Sequence, residues 1–154
     1  MKSDAPYRPS LDNQLCFALY SASNAVIRLY RPLLAPFGLT YPQFLVMLAL
    51  WQQDSVPLKV LSQRTRLDPG TITPIVKRLE EKGLLVRQPD PEDERAKRVV
   101  LTDSGGALQA PLFEAHRCLY DSFDVDKAAL EQLRQQCLTL LDQVNQQLAK
   151  GQAS

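Results

Sequence analysis

Three cysteines are the residues best suited to do chemistry in this chain of 154 residues. Cys16, Cys118 and Cys137 are far apart and odd in number, and the chain is large enough to fold without disulfides. A peroxide can oxidise a thiolate to a sulfenic acid, which then condenses with a second thiol. We therefore expect any disulfide in this protein to be conditional.

Cys16 stands near the beginning of a predicted helix. Asp12 is a plausible N-cap, so Cys16 lies in or just past the first turn, where the positive end of the helix dipole favours a thiolate. Both of its neighbours are apolar, and the alternative is a buried, unreactive cysteine. Tyr30 and Tyr41, on neighbouring elements, could donate hydrogen bonds to a thiolate or could simply pack at an interface.

No pattern in the sequence points to an enzyme. It contains no glycine-rich phosphate loop, no cluster of metal ligands and no pairing of a nucleophile with a base, so we expect no cofactor and no metal. His116 is the only histidine and is interpreted as a surface or packing residue. A thiol peroxidase is disfavoured on these grounds.

The middle of the chain is basic, although the whole chain has a formal net charge of only +1. Between Lys59 and Arg87 there are seven basic and three acidic residues. This stretch contains a predicted helix with Asp68 as its cap, Pro69 at its first position and Gly83 after its end. By the 3.6-residue period of a helix, its polar residues fall on one face, which we expect to point outward. The candidate DNA contacts on that face are Gly70, Thr71, Thr73, Pro74, Lys77 and Arg78. The alternative is a solvated face without a partner.

A basic ribbon follows this helix. Two strand-like segments, at 84–86 and 98–101, flank a charged, proline-rich stretch, which predicts a two-stranded wing with a mobile tip. Arg95 and Lys97 are candidate DNA contacts, because an arginine at such a tip can enter the minor groove. Asp93 is placed to hold a basic partner in a salt bridge.

The elements that must position these residues are mostly helical. Arg31 and Pro32 are predicted to end the first helix, and Thr40 with Gln43 has the spacing of a capping box at the start of the second. Apolar periodicity supports the remaining helices. The predicted helices span residues 12–30, 40–51, 58–65, 69–82, 103–120 and 126–149.

This order of elements is typical of a winged helix-turn-helix module, a mainly α fold with a small β-wing. We predict a single domain over 1–154, with the DNA-binding portion at 56–101 and dimerisation helices at 10–38 and 103–149. The last helix has a long apolar stripe that a chain of this size can hardly cover. A homodimer would cover it and would read a palindromic operator in double-stranded DNA.

The sequence also predicts where the protein is found. Met1–Pro6 lacks the apolar stretch of a secretory signal, and the longest apolar run, 44–51, is far shorter than a bilayer requires. We therefore expect a cytoplasmic protein with no membrane partner, whose thiols begin reduced.

Four stretches of the chain carry a family resemblance: LDNQLCFALYSAS at 11–23, GLTYPQFLVMLALW at 38–51, LDPGTITPIVKRLEEKGLLVR at 67–87 and DERAKRVVLTDSG at 93–105. On these stretches the chain resembles, over nearly its whole length, the MarR family, and within it the branch of organic hydroperoxide resistance regulators. The segment around Cys16 is the part most specific to that branch. The resemblance implies a repressor that leaves the promoter of a peroxide-detoxifying gene when an organic hydroperoxide, its inducer, oxidises it.

The same resemblance implies roles for individual residues. Cys16 is the sensing cysteine, Tyr30 and Tyr41 hold it across the dimer, and Cys118 forms an intersubunit disulfide with it. A mixed disulfide with a small thiol stays open as the end state. Cys137 is interpreted as a packing residue of the last helix.

Other kinds of regulator stay open as well. One alternative is a MarR-type regulator that is gated by a small aromatic ligand and in which Cys16 is incidental. Another is a response to other oxidants. An apolar pocket that includes Phe17 would favour organic over inorganic peroxides.

Overall fold

The computed structural model describes residues 8–151. The segment Met1–Pro6, which we interpret as lacking a secretory signal, lies outside this range. Within the range, no single helix is both long and apolar enough to cross a membrane, whereas the bent pair Leu15–Phe37 and Tyr41–Gln52 passes that test of length and composition when taken together.

The described chain is mostly helical with one small antiparallel sheet, as predicted. The helices are α1 (Leu15–Leu34), α2 (Tyr41–Gln52), α3 (Leu58–Thr65), α4 (Pro69–Glu81), α5 (Asp103–Ala107), α6 (Gln109–Ser122) and α7 (Lys127–Gly151). The strands are β1 (Val56–Pro57), β2 (Leu85–Pro89) and β3 (Lys97–Leu101), in the order β1-β3-β2. Strands β2 and β3 pair from Leu85 opposite Leu101 to Pro89 opposite Lys97, which forms the wing.

Local signals fix the ends of two helices where they were expected. Gln43 N donates to Thr40 Oγ1, and Thr40 N donates to Gln43 Oε1 at 3.1 Å, so the capping box of α2 is present. Gly83 follows α4 with φ of +72°, a left-handed conformation that glycine adopts without strain. The predicted capping box at the start of α2 and the predicted glycine after the end of α4 are therefore confirmed.

The first helix begins later than predicted. A short 3-10 turn, Leu11–Asn13, comes first, and Asn13 Oδ1 accepts a hydrogen bond from Ser10 N at 3.0 Å. Gln14 rather than Asp12 therefore occupies the N-cap of α1. The prediction of Asp12 was wrong because Asn13 closes a separate turn in front of the helix. Cys16 becomes the second residue of α1 and remains within its first turn.

Other elements also differ from the predictions. Helix α1 continues through Pro32 to Leu34, because burial of Leu34 in the core compensates for the hydrogen bond that proline cannot donate. The helix predicted at 103–120 is divided into α5 and α6. Strand β1 was not predicted; its Val56 pairs with Val99 of the wing, a long-range contact that a two-residue strand does not reveal in the sequence.

The hydrophobic core lies between the central helices and the sheet. Its largest fully buried side chains are Leu34, Met47, Leu50, Leu61, Ile72, Leu79, Leu85 and Leu112, with Val46, Val76 and Val99. These residues come from α1, α2, α3, α4, α6 and both long strands, so the helix-turn-helix and the base of the wing share one core.

Gly105 of α5 is part of the wall of this core. A Cβ atom built on Gly105 would lie 1.9 Å from the backbone oxygen of Leu84, so no larger residue fits there without a shift. The Gly105 carbonyl also accepts a hydrogen bond from Trp51 Nε1 at 3.0 Å. The Trp51 ring meets the Phe113 ring edge-on, with the ring centroids 5.6 Å apart.

The chain divides into two compact units, one ending at Arg117 and the other beginning at Cys118. The second unit contains the end of α6 and all of α7. None of the α7 residues that the structure describes is buried within this single chain, and Leu133, Val144 and Leu148 are among its exposed apolar side chains. The predicted arrangement as one domain stays a prediction.

Candidate functional site

Helix α4 separates an apolar face from a polar one. Ile72, Val76 and Leu79 are buried in the core. The six predicted DNA contacts, Gly70, Thr71, Thr73, Pro74, Lys77 and Arg78, are all exposed. Together they form a continuous outward surface on a helix whose position the core fixes.

The N-terminus of α4 is capped by Asp68, as the sequence predicts. Asp68 Oδ1 accepts a hydrogen bond from Thr71 N at 3.0 Å, and its Oδ2 accepts one from Thr71 Oγ1 at 2.6 Å. The hydrogen bonds from the Thr71 side chain and backbone lower the pKa of Asp68 below its ordinary 3.8. Thr73 Oγ1 donates to the Pro69 carbonyl at 2.8 Å, so both threonine hydroxyls are oriented before any DNA is bound.

Replacement of Asp68 by alanine is expected to lower the Tm at pH 7 by about 3 °C. Asp68→Ser is the control, because a serine hydroxyl also caps helices. The capping carboxylate has a lowered pKa, so its contribution is complete above the unfolded value and is lost as the pH falls through the folded value. Thermal melts at pH 7 and at acid pH should therefore differ between wild type and Asp68→Ala only at the higher pH.

The wing contains a different ion pair from the one predicted. Asp90 is buried, and its Oδ2 lies 3.1 Å from Arg98 Nε; a second nitrogen of Arg98 donates to the Ser55 carbonyl. Asp93 makes no salt bridge among the described residues. Its Oδ1 instead accepts a hydrogen bond from Arg95 N at 3.0 Å. A carboxylate two residues before a backbone N–H readily closes such a turn. Asp93 shapes the tip of the wing, and Asp90 links the outer end of β2 to β3 through Arg98.

Glu80 ties α4 to the wing. Its Oε2 lies 2.7 Å from Nη2 and 3.0 Å from Nε of Arg87, and its Oε1 accepts from Arg87 N at 2.9 Å. These hydrogen bonds lower the pKa of Glu80, so the pair stays charged at neutral pH. At the far end of the wing, Arg95 and Lys97 are exposed, as DNA contacts need to be.

Cys16 is exposed on α1 and is surrounded by exposed apolar side chains. Leu15 is 58% exposed and Phe17 is 41% exposed, and Leu19 and Val26 continue this apolar surface along the helix. The sequence left open whether Cys16 is buried and inert. Within the single chain it is accessible, on a surface of the kind that a partner normally covers.

Tyr30 and Tyr41 lie together at the other end of α1. Their ring centroids are 5.1 Å apart in an edge-on arrangement, and Phe44 packs against both. Tyr30 Oη is 3.1 Å from His116 Nε2. Burial raises the pKa of each tyrosine, and the negative charge that Tyr41 could acquire raises that of Tyr30 further. Both phenols therefore keep their hydrogens at neutral pH.

The two remaining cysteines are exposed in the second unit. Cys118 is in the last part of α6, and Cys137 is in α7. Cys137 is therefore not packed within its own chain, and the interpretation of it as a packing residue requires a partner.

Several residues of the site were not predicted. Asp90, Arg98 and Glu80 act through ion pairs that form only when the strands of the wing pair and pack beside α4. Only their charge distinguished them in the sequence. His116 was interpreted as a surface or packing residue, and its hydrogen bond to Tyr30 spans 86 positions of the chain. The one signal in the sequence that could have identified His116 is that it is the only histidine.

The sequence of this chain is similar to those of known transcriptional regulators. Residues 39–97 match the MarR family. The chain is 36% identical over 136 residues to the organic hydroperoxide resistance transcriptional regulator of Bacillus subtilis strain 168, across 88% of this chain and 92% of that protein. It is 35% identical over 117 residues to the HTH-type transcriptional regulator SarZ of Staphylococcus aureus strain NCTC 8325, across 76% of this chain and 79% of that protein.

Solved structures agree with this assignment. Reduced AbfR bound to DNA is 36% identical, with a TM-score of 0.70 over 84% of this chain and 93% of that chain; AbfR is a protein of Staphylococcus epidermidis. The PcaV regulator of Streptomyces coelicolor, at 22% identity and a TM-score of 0.78, shares the fold. On the sequence match along most of its length, together with the winged helix-turn-helix it forms, this chain belongs to the MarR family of transcriptional regulators.

Proposed function

We propose that this protein is a dimeric repressor that senses organic hydroperoxides by oxidation of Cys16. The observation that carries the proposal is the length of α1. Cys16 and Tyr30 are 14 positions apart on this one continuous helix, so about 21 Å of helix separates them. Tyr30 of the same chain therefore cannot hold the Cys16 thiolate, but Tyr30 of a second chain can, if the two α1 helices run antiparallel.

The surface of α1 supports such a dimer. Its exposed apolar residues include Leu15, Leu19, Val26 and Leu29, and α7 exposes a second apolar set. Burial of both surfaces in a two-fold interface would remove them from water and would bring Cys16 of each chain to the Tyr30 and Tyr41 pair of the other. Relatives and structural neighbours that are regulators with a similar fold add support.

The proposed chemistry begins with the Cys16 thiolate. Its sulfur attacks one peroxide oxygen, the O–O bond breaks, and the alkoxide that leaves takes up a proton to become an alcohol. The sulfur loses two electrons and becomes a sulfenic acid, while the peroxide is reduced. The apolar surface around Phe17 favours alkyl over inorganic peroxides.

Cys118 is the proposed second thiol. Its sulfur attacks the Cys16 sulfenic acid of the partner, an S–S bond forms and water leaves. The α-carbons of two bridged cysteines must approach to within about 7 Å, so the helices that carry them must move and take the DNA-reading units with them. Solved structures of AbfR carry the names reduced and disulfide formed, which supports a switch between a reduced and a disulfide-bonded form.

The proposed partner is double-stranded DNA with a palindromic operator. The outward face of α4 would enter the major groove, with Lys77 and Arg78 at guanine or phosphate oxygens, and Arg95 and Lys97 of the wing would lie at the adjacent backbone or minor groove. The Glu80–Arg87 pair holds the wing against α4, and the Asp90–Arg98 pair holds the two strands of the wing together. The proposed target is the promoter of a peroxide-detoxifying gene.

Mass spectrometry under non-reducing conditions tests the disulfide. After treatment with cumene hydroperoxide, we expect a cross-linked peptide pair that contains Cys16 and Cys118, together with a dimer on a non-reducing gel. Cys137→Ser should leave this product unchanged, and Cys118→Ser should stop the reaction at the sulfenic acid. A product in which Cys16 carries only a small thiol would contradict the disulfide and leave the peroxide sensor intact.

A ligand-gated regulator is the second candidate, and one cavity favours it. A space of about 410 Å³ is lined by Ile27, Arg31, Leu34, Ala35, Leu39, Thr40, Tyr41 and Pro42. Mostly apolar walls with one guanidinium suit a small aromatic acid. Release of DNA by such an acid from the Cys16→Ser variant would favour this candidate.

A further inference from the structure

His116 packs beside Tyr30, one of the two tyrosines proposed to hold the Cys16 thiolate. It lies on α6 one helical turn after Leu112, which is fully buried. Its ring packs near those of Tyr30 and Phe44, with centroid distances of 5.7 Å and 6.4 Å. Its Nε2 is 3.1 Å from Tyr30 Oη. With Tyr41, these four aromatic side chains from α1, α2 and α6 form one cluster, with a hydrogen bond inside it.

The direction of this hydrogen bond decides what Tyr30 can do. A phenol has a single O–H hydrogen to donate, while its oxygen can also accept. If Tyr30 donates to His116 Nε2, that hydrogen is not available to a thiolate. If Nε2 carries the hydrogen and donates to Tyr30 Oη, the phenol hydrogen is directed away from His116.

A thiolate nearby selects the second arrangement. An anion accepts a stronger hydrogen bond than a neutral imidazole nitrogen does. The chain of donors from Nε2–H to the phenol and on to the sulfur also polarises the phenol and strengthens its bond to the sulfur. Burial keeps the phenol of Tyr30 protonated, because it raises the pKa of that group.

We propose that His116 is a positioning residue of the sensor, which donates its Nε2–H to Tyr30 Oη and so directs the Tyr30 hydrogen onto the Cys16 thiolate of a second copy of the chain. This inference rests on the proposed peroxide-sensing function. His116 itself does not contact the reacting sulfur, and it acts through Tyr30.

Two substitutions of His116 test this role. His116→Gln places an amide N–H close to the position of Nε2, and His116→Leu removes the donor while keeping an apolar side chain in the cluster. The readouts are the rate of Cys16 sulfenic acid formation with cumene hydroperoxide and the pH at which the thiolate forms, followed by its ultraviolet absorbance. For His116→Leu we expect a rate about tenfold lower and a thiolate that forms at higher pH. His116→Gln should stay within about threefold of wild type.

The outcomes separate this inference from the function on which it rests. If Cys16 of the wild-type protein does not react with the peroxide, the sensor proposal fails and this inference fails with it. If Tyr30→Phe slows the reaction but His116→Leu does not, or if His116→Leu accelerates it, only the role of His116 is overturned. Thermal melts of each variant show whether a slower rate reflects unfolding, and rescue by His116→Gln excludes simple loss of packing.

Discussion

The Cys16→Ser variant is expected to remain bound to its operator after treatment with cumene hydroperoxide, whereas the wild-type protein is released. Serine has nearly the same size as cysteine, but a peroxide does not oxidise its hydroxyl, so the first step of the switch is removed while the fold is kept. For the wild-type protein we expect oxidation to weaken DNA binding by roughly ten- to a hundredfold, the usual size of coupling between two sites. Fluorescence anisotropy with a labelled operator measures both proteins.

Matched cysteine variants sharpen this experiment. Cys137→Ser should release DNA as the wild-type protein does, because no step of the proposed mechanism uses Cys137. Cys118→Ser should still be oxidised at Cys16 but should release DNA incompletely if the disulfide moves the helices. Full release of Cys16→Ser by peroxide would reject the thiol switch and would favour a regulator in which Cys16 is incidental.

Gly105→Ala is expected to destabilise the fold by about 3 kcal/mol, near the upper end of what an overpacked core residue costs. The added methyl group would meet the Leu84 backbone oxygen at 1.9 Å. That oxygen cannot easily move, because it accepts a hydrogen bond from Thr102 N at 3.1 Å at the end of the wing. Thermal unfolding should show a Tm lower by about 10 °C for a chain of this size.

Gly106→Ala is the matched control for this prediction. A Cβ atom on Gly106 meets nothing within 4 Å, and alanine is favoured over glycine inside a helix by up to about 1 kcal/mol. The neighbouring substitution should therefore leave the Tm unchanged or raise it slightly. Equal effects of the two variants would mean that the close approach to Leu84 does not limit the residue at position 105.

The parts of this fold that the sequence predicts are those with local causes. Helix α4 is the clearest case, because Asp68, Pro69, the apolar period and Gly83 all lie within sixteen positions and specify one helix with one outward face. The six residues predicted to contact DNA lie together on that face for the same reason. The capping box at Thr40 is equally local, and it is present as predicted.

The parts that the sequence does not predict depend on how separate elements pack together. From the sequence alone, Pro32 is predicted to end the first helix. The helix continues to Leu34, because Leu34 is buried in the core. Asp93 and Asp90 have similar surroundings in the sequence, and only the pairing of the strands brings Asp90 to Arg98. The separation of Cys16 from Tyr30 is the opposite case, because the helix predicted over 12–30 already contains both residues. The continuity of α1 turns the resemblance into a physical reason for two chains.

Trp51 gives the protein a built-in optical reporter. It is the only tryptophan of the chain, and its indole N–H donates to the Gly105 carbonyl while its ring rests on Phe113. Indole emission responds to hydrogen bonding and to water. Intrinsic fluorescence therefore reports, without any label, on changes in the packing where α2, α5 and α6 meet. A change in emission after peroxide treatment would show that oxidation reaches this junction, and a constant spectrum would confine the movement to other parts of the chain.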